Sequence, residues 1–225
     1  MSLRGLCGGF WVMGIKDTFT VKSIKPKETH DWLLHKHYAK RVPSISYAFG
    51  LFNGSVLCGV ITFGMPPNYI EMQAWEPYDL LELNRLVTND NMPKNTTSYF
   101  VSKAIKMLPR PKVLISYSDI DNGHYGYIYQ ATNWIYTGIG GAGCRIYIMK
   151  NGKELHQRHE NKIQEKNIKE IKKTTGKCRY YYFHANKRDK RKMIDIMRFE
   201  ELPYPKGENE NYDASYRPQT QTTLF

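Results

Sequence analysis

The most constraining feature of the sequence is a pair of apolar, strand-like runs on either side of Asn53-Gly54, in ISYAFGLFNGSVLCGVITFG. Asn-Gly between two such runs is the strongest short signal for a β-hairpin, because both residues tolerate the positive φ of a tight turn. Further along, LLELNRLVTN, KVLISYS, WIYTG and RYYYF predict strands, and PKNTTSYFVSKAIKMLPRP predicts a helix. This order predicts an α/β protein with a mixed, mostly antiparallel sheet and helices on both faces.

Other helices are predicted from weaker patterns. A short amphipathic helix is expected over residues 27–42, because Pro43 ends it. GHYGYIYQATN, residues 123–133, is interpreted as a helix between two strands. A basic helical stretch is predicted after Lys150, and a second basic helix is predicted to contain KRDKRK.

The formal net charge of +12 indicates a polyanionic partner, most often nucleic acid. The positive charge concentrates in KIQEKNIKEIKKTTGKCRYYYFHANKRDKRK, where three consecutive tyrosines interrupt the basic run. Basic side chains neutralise phosphates and aromatic rings stack on bases, so this pattern favours DNA over the alternative of a solvated lysine-rich surface. The predicted phosphate contacts are Lys187, Arg188, Lys190, Arg191 and Lys192.

Some protein classes are disfavoured. No apolar run approaches the roughly 18–20 residues of a membrane span, and the N-terminus lacks the pattern of a signal peptide. The four cysteines are widely separated and form no CxxC pair. We therefore expect reduced thiols, no membrane partner and a cytoplasmic protein.

Residues 116–138, SYSDIDNGHYGYIYQATNWIYTG, carry the densest chemistry of the chain. They hold two carboxylates, one histidine, five tyrosines and one tryptophan directly after an apolar strand. Ligands of α/β proteins bind at the carboxyl ends of strands, so a site is predicted there.

Two familiar motifs match in letters but not in context. GIGGAG, residues 138–143, fits the dinucleotide-binding pattern, but a strand rather than a helix is predicted after it, so it is interpreted as a loop. FGMPPNY is similar to the Pro-Pro-aromatic motif of amino-methyltransferases, but Met65 stands where an acidic or amide side chain is needed.

A set of segments resembles the Mom family of phage DNA-modification proteins: HYAKRVP, YAFGLF, GVITFGMPP, ELNRLVTND, PKNTTSYFVSKAIKMLP, residues 116–138 and LPYPKG. The resemblance implies a fold like that of acyl-CoA N-acetyltransferases (GNAT), in which two parallel central strands splay apart and the substrate lies in the gap. It also implies an enzyme that adds a carbamoylmethyl group to adenine N6 in DNA and so protects phage DNA from restriction in the host bacterium.

The donor side departs from the general acetyltransferase pattern. Those enzymes hold the CoA pyrophosphate with a glycine-rich loop at a helix N-terminus. The equivalent segment here, TNDNMPKNTTS, has no glycine, and Lys94, Asn95 and Thr96 are the candidate anion-binding residues. This departure argues against ordinary acetyl-CoA, and the sequence leaves the group donor unidentified.

The resemblance gives residues 116–138 a role in adenine chemistry. Adenine N6 is a poor nucleophile and needs a flipped base, an aromatic pocket and an acceptor for its proton. Asp119 is the predicted general base or amine-orienting acceptor, with Ser116 beside it and with helix capping as its alternative role. The predicted stacking walls are Tyr125, Tyr127, Tyr129 and Trp134, of which at least two are expected to be ordinary core.

Glu82, in ELNRL, is the second candidate carboxylate. Strand alternation places Glu82 and Asn84 on one face and Arg85 on the other, so Glu82 is predicted to face the pocket without Arg85. A β-bulge would undo this argument, and a buried ion pair within the sheet is the alternative.

His37 and Tyr38 complete the predicted catalytic set, and one metal site is considered. Its candidate ligands are His37, Tyr38, Glu82, Asp119 and His124. Mixed imidazole, carboxylate and phenolate ligands suit iron better than zinc.

Two other functions compete with DNA adenine modification. An N-acyltransferase acting on a protein or a small molecule would fit the fold, but the missing pyrophosphate loop argues against it. A non-enzymatic DNA-binding protein would explain the charge, but it would leave residues 116–138 without a purpose.

The chain ends are expected to lie outside the catalytic domain. Residues 1–12 are predicted to be a non-native or disordered extension before Met13, and residues 206–225 a flexible tail. Residues 13–205 form the predicted single domain, of which residues 150–205 are a basic C-terminal part.

The last five residues, QTTLF, predict a contact with the replication sliding clamp of the host. They are similar to a short clamp-binding peptide in which a glutamine, here Gln221, binds a polar site and an apolar pair, here Leu224 and Phe225, fills a pocket. A labelled peptide of residues 217–225 should therefore bind the clamp saturably in the micromolar range, as measured by fluorescence polarisation, and Leu224→Ala with Phe225→Ala should abolish binding. No binding at high clamp concentration would leave packing of these two residues against the domain as the better explanation.

Overall fold

The computed structural model describes residues 14–206, which fold around a seven-stranded sheet with the order β1-β2-β3-β4-β5-β10-β6. A second sheet has three strands in the order β8-β7-β9. The ten strands are β1 Phe19–Ser23, β2 Tyr47–Asn53, β3 Val56–Gly64, β4 Leu80–Thr88, β5 Lys112–Asp119, β6 Ile135–Gly140, β7 Arg145–Met149, β8 Glu154–His156, β9 Ile168–Lys173 and β10 Lys177–His184. The predicted mixed, mostly antiparallel α/β architecture is confirmed.

The Asn53-Gly54 hairpin forms as predicted. β2 and β3 pair in antiparallel orientation from Tyr47 opposite Phe63 to Asn53 opposite Val56, and Gly54 has a φ of +58°. β1 adds to the outer edge of β2, and β4 adds to the other side of β3. The hairpin is therefore the start of a four-stranded antiparallel block.

The parallel pair β4 and β5 lies at the centre of the large sheet and separates along its length. The two strands pair only from Leu80 opposite Val113 to Glu82 opposite Ile115. Beyond Glu82, β4 continues along β3 to Thr88, while β5 continues along β10 to Asp119. A gap therefore opens between the two strands, which is the splay that the acetyltransferase-like fold implies.

Helices cover both faces of the sheet. The α-helices are α1 Ile15–Thr18, α2 Tyr69–Gln73, α3 Thr96–Met107, α4 Tyr127–Gln130 and α5 Lys187–Ile196. α3 buries Phe100, Val101 and Ile105 in the core of one face, and α5 buries Met193 against Trp75 in the core of the other. Short 3-10 or π turns occupy Pro26–Thr29, Trp32–Lys36, Ile120–Asn122, Gln157–Lys162 and Glu165–Asn167.

Three predicted helices are wrong or much shorter than expected. The helix expected over residues 27–42 ends at Lys36, and His37 is already extended. Only Tyr127–Gln130 is α-helical within residues 123–133, because Gly123 and Gly126 adopt positive φ and interrupt the helix. The basic stretch after Lys150 forms β8, β9 and two 3-10 turns, because β7 offers both of its edges for pairing.

Several expectations concern residues outside the described range. These are the extension at residues 1–12, Met13, and the clamp-binding residues Gln221, Leu224 and Phe225. Between residues 14 and 206, none of the helices combines the length and apolarity needed to cross a membrane.

Gly126 offers a test of the packing beside α4. Its φ is +77°, and an added Cβ would lie 2.4 Å from Cε2 of the buried Tyr180 ring. Gly126→Ala should therefore lower the free energy of unfolding by the strain of a left-handed residue, about 1–2 kcal/mol, and by a further overpacking cost of roughly 1–3 kcal/mol.

Gly123→Ala is the matched control, because Gly123 also has positive φ (+70°) but an added Cβ would meet no atom within 4 Å. Urea denaturation of the two variants separates the cost of the left-handed backbone from the cost of overpacking against Tyr180. An equal loss of stability in both would mean that the Tyr180 contact contributes nothing.

Candidate active site

A cleft of about 1090 Å³ opens where β4 and β5 separate. Its walls come from both of these strands, from the loop before β2, and from the segment that follows β5. Eight residues predicted to belong to the site line this cleft: His37, Tyr38, Glu82, Asp119, His124, Tyr125, Tyr127 and Tyr129. The structure therefore brings together residues that are as much as 92 positions apart in sequence.

Ser116 and Trp134 lie behind the cleft wall. The buried Ser116 hydroxyl donates to the Leu83 carbonyl at 2.8 Å and lies 2.6 Å from the Tyr129 hydroxyl oxygen. Trp134 is fully buried, with its ring 5.2 Å from that of Tyr129. Trp134 and Tyr129 both belong to the buried core, as was expected for at least two of the four aromatic residues, and Ser116 supports the wall from behind.

Glu82 and Arg85 both line the cleft, so the prediction that strand alternation separates them is wrong. The pairing of β3 with β4 shifts at this point, since Thr62 lies opposite Arg85 and Phe63 lies opposite Leu83. Asn84 is the additional residue of a β-bulge, which turns the strand and brings Arg85 to the same side as Glu82. The Asn84 side chain holds the bulge by accepting from the Thr62 hydroxyl at 2.6 Å and donating to the Ser44 carbonyl at 2.8 Å.

The Arg85 guanidinium presents an unused edge. Its Nη1 donates to the Asn84 carbonyl, whereas Nε and Nη2 are buried and have no hydrogen-bond acceptor among the described residues. Burial lowers the pKa of Arg85, and the nearby Arg41 lowers it further. Two adjacent N–H donors without an acceptor are costly in a protein interior, so this edge is suited to bind oxygen atoms of a ligand.

The two carboxylates have different environments. Burial raises the pKa of Glu82 above its ordinary 4.5, although the positive charges of Arg85, Lys177 and Arg41 oppose the shift. Asp119 lies opposite Lys177 in the pairing of β5 with β10, and its carboxylate is 3.2 Å from the Lys177 ammonium. Asp119 also stands at the start of the 3-10 turn but makes no capping hydrogen bond there, so the described contacts favour ion pairing over capping.

His37 is held as a neutral ring. Burial, together with electrostatic interactions with Arg85 and His124, lowers the pKa of His37 to about 4. Its Nδ1 accepts from the Ala39 backbone N–H at 3.0 Å, so in the neutral ring the proton is on Nε2. The ring stacks on Tyr38 with centroids 4.4 Å apart, and Tyr38 in turn lies 5.6 Å from the His124 ring. His37 can therefore donate a hydrogen bond into the cleft at neutral pH.

The five candidate metal ligands share the cleft but do not form a metal centre. Within residues 14–206, no three His, Cys, Asp or Glu side chains converge closely enough to hold a metal ion. His37 Nδ1 and the Asp119 carboxylate are already bonded to protein groups. The arrangement thus gives no support to the iron site considered from the sequence.

The predicted anion-binding residues lie near one end of the cleft without lining it. Thr97 lines the cleft in place of Lys94, Asn95 and Thr96. Asn95 adopts a left-handed conformation at the start of α3, and the buried Thr96 hydroxyl has no hydrogen-bond partner among the described residues. Lys36 also lines this end and donates to the Asn89 side-chain oxygen at 2.9 Å.

The basic residues of α5 lie away from the cleft. α5 follows His184, which pairs with Lys112 at the start of β5, whereas the cleft is at the other end of that strand. None of Lys187, Arg188, Lys190, Arg191 and Lys192 lines the cleft. Their contact with phosphate stays a prediction.

Sequence reasoning missed four cations of the cleft. Strand alternation predicts Arg85 on the opposite face, and the segments of Lys36, Arg41 and Lys177 indicate only helix ends and overall charge. The sequence around Asn84 gives no local signal for the bulge, because Thr62 and Ser44 from other parts of the chain hold it.

Comparison with solved structures finds acetyltransferases at low similarity. A putative acetyltransferase, yncA, from Salmonella typhimurium, solved with acetyl-CoA, is 9% identical, with a TM-score of 0.44 over 75% of this chain and 95% of that one. An aminoglycoside N(6')acetyltransferase from Legionella pneumophila is also 9% identical, with a TM-score of 0.43 over 80% and 96% of the two chains. At these scores, the description of the fold rests on the strand order itself.

Comparison of sequences gives a closer relation. The chain is 29% identical over 188 residues to the methylcarbamoylase mom of Escherichia phage Mu, covering 76% of this chain and 77% of the relative. The model of the Mom protein family matches residues 18–206, which is nearly the whole described range. The chain that forms this cleft therefore belongs to the Mom protein family.

Proposed function

We propose that this protein is a transferase that adds a carbamoylmethyl group to the N6 amine of adenine in DNA. The observation that carries the proposal is the cleft, where Glu82 and Asp119 meet several tyrosines at the point of strand separation. Membership of the Mom family supports the reaction class, because the phage Mu relative is named a methylcarbamoylase. Phage DNA inside the host bacterium would be the substrate, and the modification would protect it from restriction.

The cleft has the parts that a flipped adenine requires. Tyr125 and Tyr127 line one wall, where aromatic rings can stack on a base that has left the duplex, and the buried Tyr129 ring supports this wall. Burial raises the pKa of Tyr129 to about 12, so its hydroxyl stays protonated. The volume of about 1090 Å³ leaves room for a donor group beside the base.

Glu82 is suited to accept the N6 proton. A carboxylate with a raised pKa is a better base than an ordinary one, and Glu82 has that property through burial. In the proposed step the N6 lone pair forms a bond to the carbamoylmethyl carbon, the leaving group departs from that carbon with the bonding electron pair, and the N6 proton passes to Glu82. Asp119, already paired with Lys177, would accept the second N6–H and orient the amine.

The decisive experiment is mass spectrometry of nucleosides from DNA of bacteria that express the protein. Adenosine carrying an added carbamoylmethyl group is expected in these cells and not in cells without the protein. An unmodified adenosine profile in cells that contain the folded protein would refute the proposal.

Variants of the two carboxylates separate their roles. Glu82→Gln should reduce the rate of modification roughly 10²–10⁴-fold, because general base catalysis is lost. The activity of the wild type should fall as pH decreases through the raised pKa of Glu82, since the protonated carboxyl cannot accept a proton. Glu82→Gln should lack this decline, the acidic limb of the pH–rate profile.

Asp119→Asn should also be slow, but it should keep the acidic limb and bind DNA nearly as the wild type does. Rate measurements against pH check both variants. If Asp119→Asn lost the limb and Glu82→Gln kept it, the two roles would be reversed.

Arg85 would hold the carbonyl oxygen of the transferred group. Its free Nε and Nη2 form one edge of a planar fork, which a lysine cannot reproduce. Arg85→Lys should therefore slow modification about 10- to 100-fold, the equivalent of a hydrogen bond from a charged group. Arg41→Lys, at an exposed residue of the same cleft, is the matched control and should remain active. Equal activities of the two variants would show that only the charge of Arg85 matters.

A further inference from the structure

Between β6 and β10 the chain leaves the large sheet and forms the small three-stranded sheet β8-β7-β9. Gly140 lies opposite Lys177 at the end of the pairing of β6 with β10, and Arg145 lies opposite Lys173 where β7 meets β9. The connection between these pairs is also hydrogen-bonded, since Thr174 N–H donates to the Cys144 carbonyl at 2.9 Å and Gly143 N–H donates to the Thr174 carbonyl at 2.8 Å. We call residues 141–176 the ribbon arm.

The ribbon arm starts at the cleft. Lys177, the first residue after it, lines the cleft and pairs with Asp119. Thr175 donates to the Asp121 carboxylate from its hydroxyl at 2.8 Å and from its backbone N–H at 3.3 Å. Asp121 belongs to the 3-10 turn between β5 and the tyrosines of the cleft. These contacts fix the direction of the arm relative to the cleft.

The ribbon arm is rich in basic residues. It holds nine lysines and arginines against four glutamates, in a chain whose net charge is +12. β9 is exposed along nearly its whole length, including Lys169, Lys172 and Lys173. Lys172 has a weak ion pair with Glu170 at 4.0 Å, which leaves both side chains more than half exposed.

The base of the ribbon arm lies closer to the cleft than α5 does. β10 has eight residues, so α5 begins roughly 25 Å from the cleft end of that strand. At about 3.4 Å per base pair, this corresponds to roughly seven base pairs of duplex. The phosphates next to an adenine held in the cleft are therefore closer to the base of the ribbon arm than to α5.

We infer that the ribbon arm, rather than α5, binds the DNA backbone next to the flipped adenine. This inference rests on the proposed function, because that function makes duplex DNA the partner. β9 is an edge strand of the small sheet, and its exposed lysines can bind phosphates without reading the sequence. The arm thus supplies the affinity, and the cleft selects the base.

Two triple variants with the same loss of charge test the inference. One is Lys169→Gln with Lys172→Gln and Lys173→Gln, in the arm; the other is Lys187→Gln with Arg191→Gln and Lys192→Gln, at exposed positions of α5. Duplex binding is measured by fluorescence polarisation between 50 and 200 mM salt. The arm variant should make the negative slope of log affinity against log salt shallower by about 2–3, close to one unit for each lost phosphate contact. The α5 variant should have a slope within about one unit of the wild-type value.

A third variant controls for damage to the arm. Lysine-to-arginine changes at residues 169, 172 and 173 keep the charge, so they should keep the slope. The inference is overturned if the α5 variant lowers the slope as much as the arm variant, if neither changes it, or if the arginine variant loses binding as the glutamine variant does.

The outcome is independent of the nucleoside assay. A lower slope in the arm variant would support the arm as the DNA contact even if adenosine were unmodified. Modified adenosine together with an unchanged slope would leave the proposed function intact and reject the arm.

Discussion

The cleft depends on one hydrogen bond between side chain and backbone, at the point where β4 and β5 part. Their backbone pairing ends at Glu82 opposite Ile115, so the next carbonyl, that of Leu83, loses its strand partner. The Ser116 hydroxyl replaces that partner at 2.8 Å, and a buried carbonyl left unpaired would cost about 1–3 kcal/mol. Because the same hydroxyl contacts Tyr129 at 2.6 Å, it also links the point where β4 and β5 stop pairing to the aromatic wall of the cleft.

The separation of the strands creates an interior that disfavours charge. Burial raises the pKa of Glu82 and lowers those of Arg85 and His37, which in each case favours the uncharged form. Charges interact strongly in such a site because little water screens them. The Glu82 carboxylate can therefore accept a proton from a ligand, and the Arg85 guanidinium and the neutral His37 ring can donate hydrogen bonds to it.

The parts that could be predicted from the sequence are those set by local patterns. Asn53-Gly54 between apolar runs determines a hairpin through turn geometry alone, and the carboxyl end of an apolar strand indicated where Asp119 and the tyrosines would gather. The bulge at Asn84 could not be predicted, because it depends on contacts with Thr62 and Ser44 from other parts of the chain. β9 was mistaken for helix for a similar reason, since its lysine-rich sequence has no apolar alternation and only pairing with β7 makes it a strand.

The ribbon arm leaves the large sheet and returns to it between two strands that pair directly with each other. β6 and β10 pair directly with each other, so the length of the arm does not affect the register of the large sheet. Insertions or deletions near its tip would leave Lys177 and Asp119 in register. Changes nearer the base are limited by strand parity, because adding one residue to β7 or β9 would turn every following side chain to the opposite face, whereas matched pairs would preserve it. The arm can therefore diverge in length among relatives by steps of two residues per strand, while the cleft stays unchanged.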